Sequence, residues 1–195
     1  MSGRADSSSS LDADSARFAA VIDQFADQNG ASLRHHSERT PLLVVFLRHG
    51  GCPFCRETLA HLKAARSEIT KSGIGIALVH LMTDVEAANL FAKYDLADVP
   101  RYSAPDGRLY AAFGLQRGAI GRVAGPRVWW RGLSATLRGH LPGVPKGDIF
   151  QLPGTFLLCD GEIRQADRAE TSAGLVDFVE FIGTGTSPGS TDGHS

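Results

Sequence analysis

Cysteine is scarce in this chain, and the three present, Cys52, Cys55 and Cys159, are odd in number. That excludes a secreted scaffold stapled by disulfides. An excess of charge of one sign is missing too. Twenty Lys and Arg stand against 21 Asp and Glu, a net charge of -1, which excludes a globally basic nucleic-acid binder. The longest apolar run, Leu42–Leu47, has six residues, against the roughly 20 that a membrane span needs. No basic start followed by an apolar stretch marks a secretory leader, and no internal repeat occurs. Together these absences lead to the expectation of a protein in a reducing cytoplasm. What is there is 195 residues, 43% of them apolar, which suits one domain that buries roughly 70% of its unfolded surface without a staple.

The organisation is read from periodicity. Residues 1–13 and 183–195 are poor in anything to bury and are expected to be tails, leaving 14–182 as a single domain. Phe18, Val21, Ile22 and Phe25 recur at helical spacing, so a helix is predicted over Asp14–Asn29. Leu42–Leu47 reads as a strand buried on both faces. Pro53–Lys71 has helical spacing, with Cys55, Leu59, Leu62 and Ile69 on one stripe and Arg56, Glu57, Lys63 and Arg66 mostly elsewhere. Ile74–Met82 supplies a second buried strand, and Thr83 with Glu86 forms a capping box for another helix. Strand, helix, strand, helix at this spacing means parallel pairing and an α/β fold. A short helix is expected after the Asp106-Gly107 turn. Thr155–Cys159, Asp160-Gly161 and Glu162–Ala166 read as a hairpin, and Ser172–Ile182 as a last helix.

Residues 115–150 break this rhythm with many glycines and prolines, and are read as an insertion holding one helix, Arg127–Arg138. Between Asp106 and Asp148 no acidic residue occurs, while Arg108, Arg117, Arg122, Arg127, Arg131, Arg138 and Lys146 do. With Trp129 and Trp130 among them, Arg127 and Trp130 become candidate contacts for an anionic amphiphile such as a fatty-acid hydroperoxide, or for an acidic redox partner. The plainer account is a solvated face whose tryptophans pack the insertion onto the sheet.

The chemistry is concentrated in Arg48-His49-Gly50-Gly51-Cys52-Pro53-Phe54-Cys55-Arg56-Glu57. A Cys-x-x-Cys between a buried strand and an amphipathic helix is the arrangement of a thiol–disulfide centre. Cys52 falls at the N-cap, where unpaired N–H groups and the helix dipole stabilise an anion, so its thiolate is the expected nucleophile. Pro53 suits the first helical position. Cys55, on the Leu59/Leu62 side, is expected to be more buried and to resolve the intermediate. Arg48 and His49 add positive charge or a proton relay nearby, although strand-end pairing or turn packing accounts for them equally. A zinc site would need two further ligands, for which Cys159 and a histidine are thin candidates, so no metal is expected. Cys159 itself reads as a packing residue.

The Cys52–Cys55 site, the run Asp106–Gly114 and Pro153-Gly154-Thr155-Phe156-Leu157-Leu158 with Asp160-Gly161 together resemble the thioredoxin superfamily. They resemble most its AhpC/TSA peroxiredoxin-like branch, near selenoprotein-L-related and prostamide/prostaglandin F synthase-like proteins. The resemblance covers roughly residues 40–180. It implies a thioredoxin-like fold, a central mixed β-sheet flanked by helices with the insertion before the cis-proline strand. Cys52 would attack, and Pro153 would be a cis-proline lining the site with Gly51, Pro53, Phe54, His49 and Arg48. The implied activity is a thiol–disulfide oxidoreductase that reduces peroxides or disulfides. It needs no bound cofactor and is reset by an external thiol or thioredoxin-type reductant, in a monomer or weak dimer. Two alternatives stand beside it: a reductase of a lipid endoperoxide or related small molecule, and a non-enzymatic redox sensor. One departure matters. The usual Pro-x-x-x-Thr/Ser-x-x-Cys motif is absent: counting back from Cys52 meets His49 and Val45, and from Cys55 meets Cys52 and Arg48. That lowers the expectation of peroxide reduction by the usual site and raises that of dithiol exchange.

Overall fold

The computed structural model describes residues 5–115, 153–168 and 176–185. Two helices, α1 (Ala5–Gln24) and α2 (Leu33–Arg39), precede β1 (Leu42–Phe46), α3 (Pro53–Lys71), β2 (Gly75–His80), α4 (Asp84–Ala92) and β3 (Arg101–Ser103). After α5 (Arg108–Ala112), the hairpin β4 (Gly154–Cys159) and β5 (Glu162–Arg168) and helix α6 (Phe178–Gly185) complete the described elements. The sheet order is β3-β2-β1-β4-β5. β1 pairs parallel with β2, and β2 with β3, while β4 runs antiparallel to both β1 and β5. This is the mixed α/β sheet of a thioredoxin-like fold, with β1 at its centre and all five of its residues buried.

Side-chain alternation along β1 sends Leu43 and Val45 into one core and Leu42, Val44 and Phe46 into the other, as a strand covered on both faces requires. The first core packs Leu59, Leu62 and Ile69 of α3, Leu90 and Phe91 of α4, and Phe178, Phe181 and Ile182 of α6. The second packs Ile22, Leu33, Leu109 and Tyr110 against the opposite face. At its centre Phe46 meets Tyr110, Phe113 and Phe156 with ring centroids 4.9, 4.7 and 5.4 Å apart, tilted contacts worth about 0.5–1.5 kcal/mol each beyond their area. Gly154 marks a close approach, since a Cβ there would lie 2.6 Å from Leu115 Cδ2.

Several elements lie where the patterning puts them, above all α3, the Thr83–Glu86 capping box and the β4–β5 hairpin. Others move. α1 starts at Ala5, inside the stretch expected to be a tail, and ends at Gln24 rather than Asn29. No Gly or Pro interrupts residues 5–24, so the amphipathic Phe18–Ile22 turns propagate backwards. Beyond Gln24, Asp27 turns the chain by accepting from the backbone N–H groups of Asn29 and Ala31. The last helix does not run from Ser172. Val176 and Asp177 are non-helical, Asp177 accepts from Val179 N and Glu180 N as a cap, and α6 continues to Gly185, into the expected second tail. The insertion, its Arg127–Arg138 helix and residues 172–175 lie outside the described residues. Among the described residues, no helix is long and apolar enough to cross a membrane.

Candidate active site

The dithiol sits where the parallel strand β1 hands over to α3. Cys52 is the N-cap of α3, in extended backbone, and Pro53 follows at the first helical position. The connection is a tight turn closed by the Cys52 N–H donating to His49 C=O (3.1 Å). It is pinned by Arg56 Nε donating to Gly50 C=O (2.9 Å). Gly50 lies against the α4 side of the core, where a Cβ would meet Met82 Sδ at 3.3 Å and Leu90 Cδ2 at 3.5 Å.

Arg48 connects both sulfurs. Its Nη2 donates to Cys52 Sγ at 2.8 Å, and its backbone N–H donates to Cys55 Sγ at 3.3 Å. The hydrogen bond with the Cys55 thiol, followed by the charge of Arg48, brings Cys52 down to about 6 despite burial. Cys55 moves the other way: its hydrogen bond to Cys52 and its burial hold it well above the ordinary thiol range. Burial acts against the charge of Arg48, but the two sulfurs, Cys52 first, hold its guanidinium protonated. Two thiols three residues apart thus divide into a thiolate and a protonated neighbour, the division that nucleophilic attack followed by resolution requires. All three cysteines are free.

Both cysteines are buried, Cys52 at 2% and Cys55 at 4% exposed, a difference too small to rank them. His49 is also buried, 5% exposed. Burial, then the neighbouring Arg48, brings its imidazole down to about 4, so it is neutral at pH 7. Phe54 is buried, and Gly51 and Pro53 are half-buried. Pro153 stands directly before Gly154, which pairs with Phe46 of β1, and shares a small cavity with Thr58 of α3. Its peptide bond begins at residue 152, so the expected cis isomer lies outside the described residues, as do Arg127 and Trp130. Cys159 is at the far end of β4, opposite Glu162, where it packs against the core. Among the described residues, no group of three or more His, Cys, Asp or Glu is placed to hold a metal.

Three supporting residues escaped the sequence reading. Glu57, expected on the polar side of α3, is 2% exposed; only its position five residues after Cys52 hinted at this. Tyr110 is fully buried, and its hydroxyl donates to the Leu47 carbonyl immediately before Arg48. Burial, then the nearby Cys55, holds this phenol well above its ordinary range. His80, at the end of β2, donates from Nδ1 to Met82 C=O (3.1 Å). Its burial outweighs that bond and brings it down to about 4.

The two buried histidines make the fold acid-sensitive. An unfolded histidine titrates near 6.5, above the values of about 4 for both in the folded chain. The unfolded state therefore takes up protons first as pH falls. The histidines' contribution to stability is full above pH 6.5 and is lost progressively down to about pH 4, by about 1.4 kcal/mol per pH unit for each histidine. Urea unfolding at pH 7 and pH 4.5 should show the midpoint falling, and His80→Gln should remove about half of that fall. An unchanged midpoint in the parent chain would contradict the burial of these rings.

Residues 61–170, more than half of the chain, match the family described as AhpC/TSA antioxidant enzyme. The match begins within α3, beyond both cysteines of the pair. No curated protein matches the chain. Among solved structures, a peroxiredoxin Q mutant of Xanthomonas campestris is similar at 23% identity, over 76% of this chain and 83% of that one, with a TM-score of 0.55. The peroxidoxin BcpB of Mycobacterium tuberculosis is similar at 16% identity, over 83% and 86%, with a TM-score of 0.55. A peroxiredoxin 6 mutant of Arenicola marina is similar at 10% identity, over 84% and 68%, with a TM-score of 0.59. At such identities the structures speak for the fold, whereas the sequence match from α3 through β5 speaks for descent: this chain belongs to the AhpC/TSA antioxidant enzyme family.

Proposed function

We infer that this protein is a two-cysteine thiol peroxidase, in which Cys52 attacks a small hydroperoxide and Cys55 resolves the product. The observation that carries the reading is the Arg48 guanidinium 2.8 Å from Cys52 Sγ, with the N-cap position of Cys52 and the protonated Cys55 beside it. In the first step the thiolate attacks the distal peroxide oxygen. A sulfur–oxygen bond forms and the O–O bond breaks; sulfur is oxidised to a sulfenic acid, and the leaving oxygen takes a proton to become water or an alcohol. In the second, the Cys55 thiol displaces that hydroxyl as water and closes a Cys52–Cys55 disulfide. Two electrons from an external thiol or thioredoxin-type reductant in a reducing cytoplasm reopen it.

A peroxide is favoured over a protein disulfide because Cys52 and Arg48 are only 2% and 4% exposed, which suits an oxidant of a few atoms. The second reading, exchange with a disulfide substrate, is favoured by the placement of both cysteines on the first turn of α3. The test mixes fully reduced protein rapidly with hydrogen peroxide, a fatty-acid hydroperoxide or a low-molecular-weight disulfide, followed by thiol trapping and peptide mass analysis. Peroxide is expected to yield the Cys52–Cys55 disulfide fastest. A protein that reacts quickly with the disulfide alone is an exchange enzyme, and the peroxidase reading then fails.

A further inference from the structure

Among the described residues, most buried side-chain polar groups are partnered, and each exception needs a reason. Away from the dithiol, the Tyr102 hydroxyl lies in the core, and His80 Nε2 is 4.0 Å from an Asp84 carboxylate at the start of α4. Arg101 Nε and Gln165 Oε1 are further cases, and His49 Nδ1 lies at the site itself. His49 is 5% exposed, and its enclosed Nδ1 has no hydrogen-bond partner among the described residues. Yet its own carbonyl closes the turn onto Cys52 N, and its neighbour Arg48 holds Cys52 Sγ. A buried imidazole nitrogen left without a partner is destabilising, and an apolar side chain would avoid the loss. The arrangement makes sense if the missing partner arrives with the reaction.

We propose that His49 is a catalytic residue of this site, its ring nitrogen donating a hydrogen bond to the peroxide oxygen that leaves as Cys52 attacks the other. The inference rests on the peroxidase reading above. Arg48 and His49 divide the work. The guanidinium holds the thiolate before reaction, and the neutral imidazole meets charge that appears only as the O–O bond breaks. A donor held ready for a developing oxyanion accelerates the chemical step without tightening the ground state. The two histidines differ accordingly. His80 spends its one ring proton on Met82 C=O, so its unpartnered Nε2 can only accept, whereas His49, carrying its ring proton on the unpartnered Nδ1, can donate there. The ring stays neutral beside Arg48, so it acts as a donor and not as an acid. The leaving oxygen takes its proton from water, which balances the step: thiolate, hydroperoxide and one proton give sulfenic acid and an alcohol, or water.

The test uses the full chain carrying Cys55→Ser, so that oxidation stops at Cys52. Two rates are read: sulfenic acid formation with hydrogen peroxide, and alkylation by iodoacetamide, which needs the thiolate but makes no oxyanion. His49→Leu is expected to slow oxidation about 100-fold while leaving alkylation within about two-fold, and to raise the melting temperature, since it removes an unsatisfied polar group. His49→Asn, whose amide can reach the place of Nδ1, is expected to recover about ten-fold of the loss. Equal losses in oxidation and alkylation would mean that His49 only positions the thiolate, and oxidation at the parent rate would mean that it does nothing to the peroxide. Either overturns the proposal. Should His49→Leu not fold, the same two rates in His49→Ala decide between these outcomes. A parent protein that fails to oxidise with any peroxide defeats the peroxidase reading itself. A parent that oxidises, with His49→Leu its equal, defeats only this inference.

Discussion

Cys52→Ser should lose peroxide-dependent oxidation completely, whereas Cys55→Ser should oxidise at nearly the parent rate and stop at a sulfenic acid on Cys52. The asymmetry follows from how the two thiols are held. Cys52 carries the N-terminal field of α3 and the 2.8 Å contact with Arg48, and titrates near 6. At pH 7 it is therefore about 90% thiolate. Cys55 is held protonated, and an un-ionised thiol is a poor nucleophile toward peroxide. Serine at 52 leaves no sulfur with that environment, and Cys55 cannot inherit the role from inside the helix. In Cys55→Ser the first step is intact, with one change: the hydrogen bond from residue 55 to the thiolate now comes from a hydroxyl. The checks are mass analysis after trapping with a sulfenic-acid reagent, and turnover with an external thiol. Turnover should vanish in Cys52→Ser. In Cys55→Ser it should survive only as far as the external thiol can attack the sulfenic acid directly. Equal residual activity in both variants would remove the division of labour on which the mechanism is built.

Much of this site was legible before any coordinates. The strand Leu42–Leu47 and the helix from Pro53 were written as a continuous apolar run followed by a 3.6-residue stripe, and proline at the first helical position fixed the boundary. Cys52 at the N-cap followed from that boundary. Thr83 and Glu86 made the start of α4 equally plain. What did not show was burial decided by other parts of the chain. His49, Glu57 and Arg48 are polar in type, and spacing along α3 sends Glu57 away from the core, yet each is at most 5% exposed. Their burial is decided by packing against other parts of the chain, a tertiary effect that no local period records. α2 was missed for a different reason. Its seven residues are too few to display a stripe, and its one local signal is Ser32, whose hydroxyl accepts from His35 N. β3 is shorter still, held by pairing with β2 rather than by its own sequence.

Replacing Arg48 by methionine should move the titration of Cys52 upward by about two pH units, because an adjacent cation lowers a thiol by about 1–3 units. The hydrogen bond with Cys55, the larger cause, remains, so the shift stops short of the ordinary thiol value. The rate consequence has two opposed parts. At pH 6 about half of the parent Cys52 is thiolate, but only about 1% of the variant would be, roughly a 50-fold loss of reactive species. A more basic thiolate is also more nucleophilic, with a Brønsted coefficient of about 0.4–0.5, which returns roughly six- to ten-fold over two units. The pH profiles of alkylation should therefore cross, with Arg48→Met slower than the parent at pH 6 and faster at pH 9. Stability follows the same thiolate. The folded Cys52 titrates below an unfolded cysteine, so its contribution is present in full above the unfolded value of about 8.5 and is lost as pH falls toward 6, by about 1.4 kcal/mol per unit. Arg48→Met should flatten most of that dependence in the reduced protein. The redox balance shifts in parallel, because only the reduced form holds the thiolate that Arg48 stabilises. Weakening it by about one unit at pH 7 makes the Cys52–Cys55 disulfide harder to reduce by about 30 mV. Equilibration with glutathione buffers reads this directly, and a disulfide that becomes easier to reduce in Arg48→Met would show that the guanidinium serves the oxidised form instead.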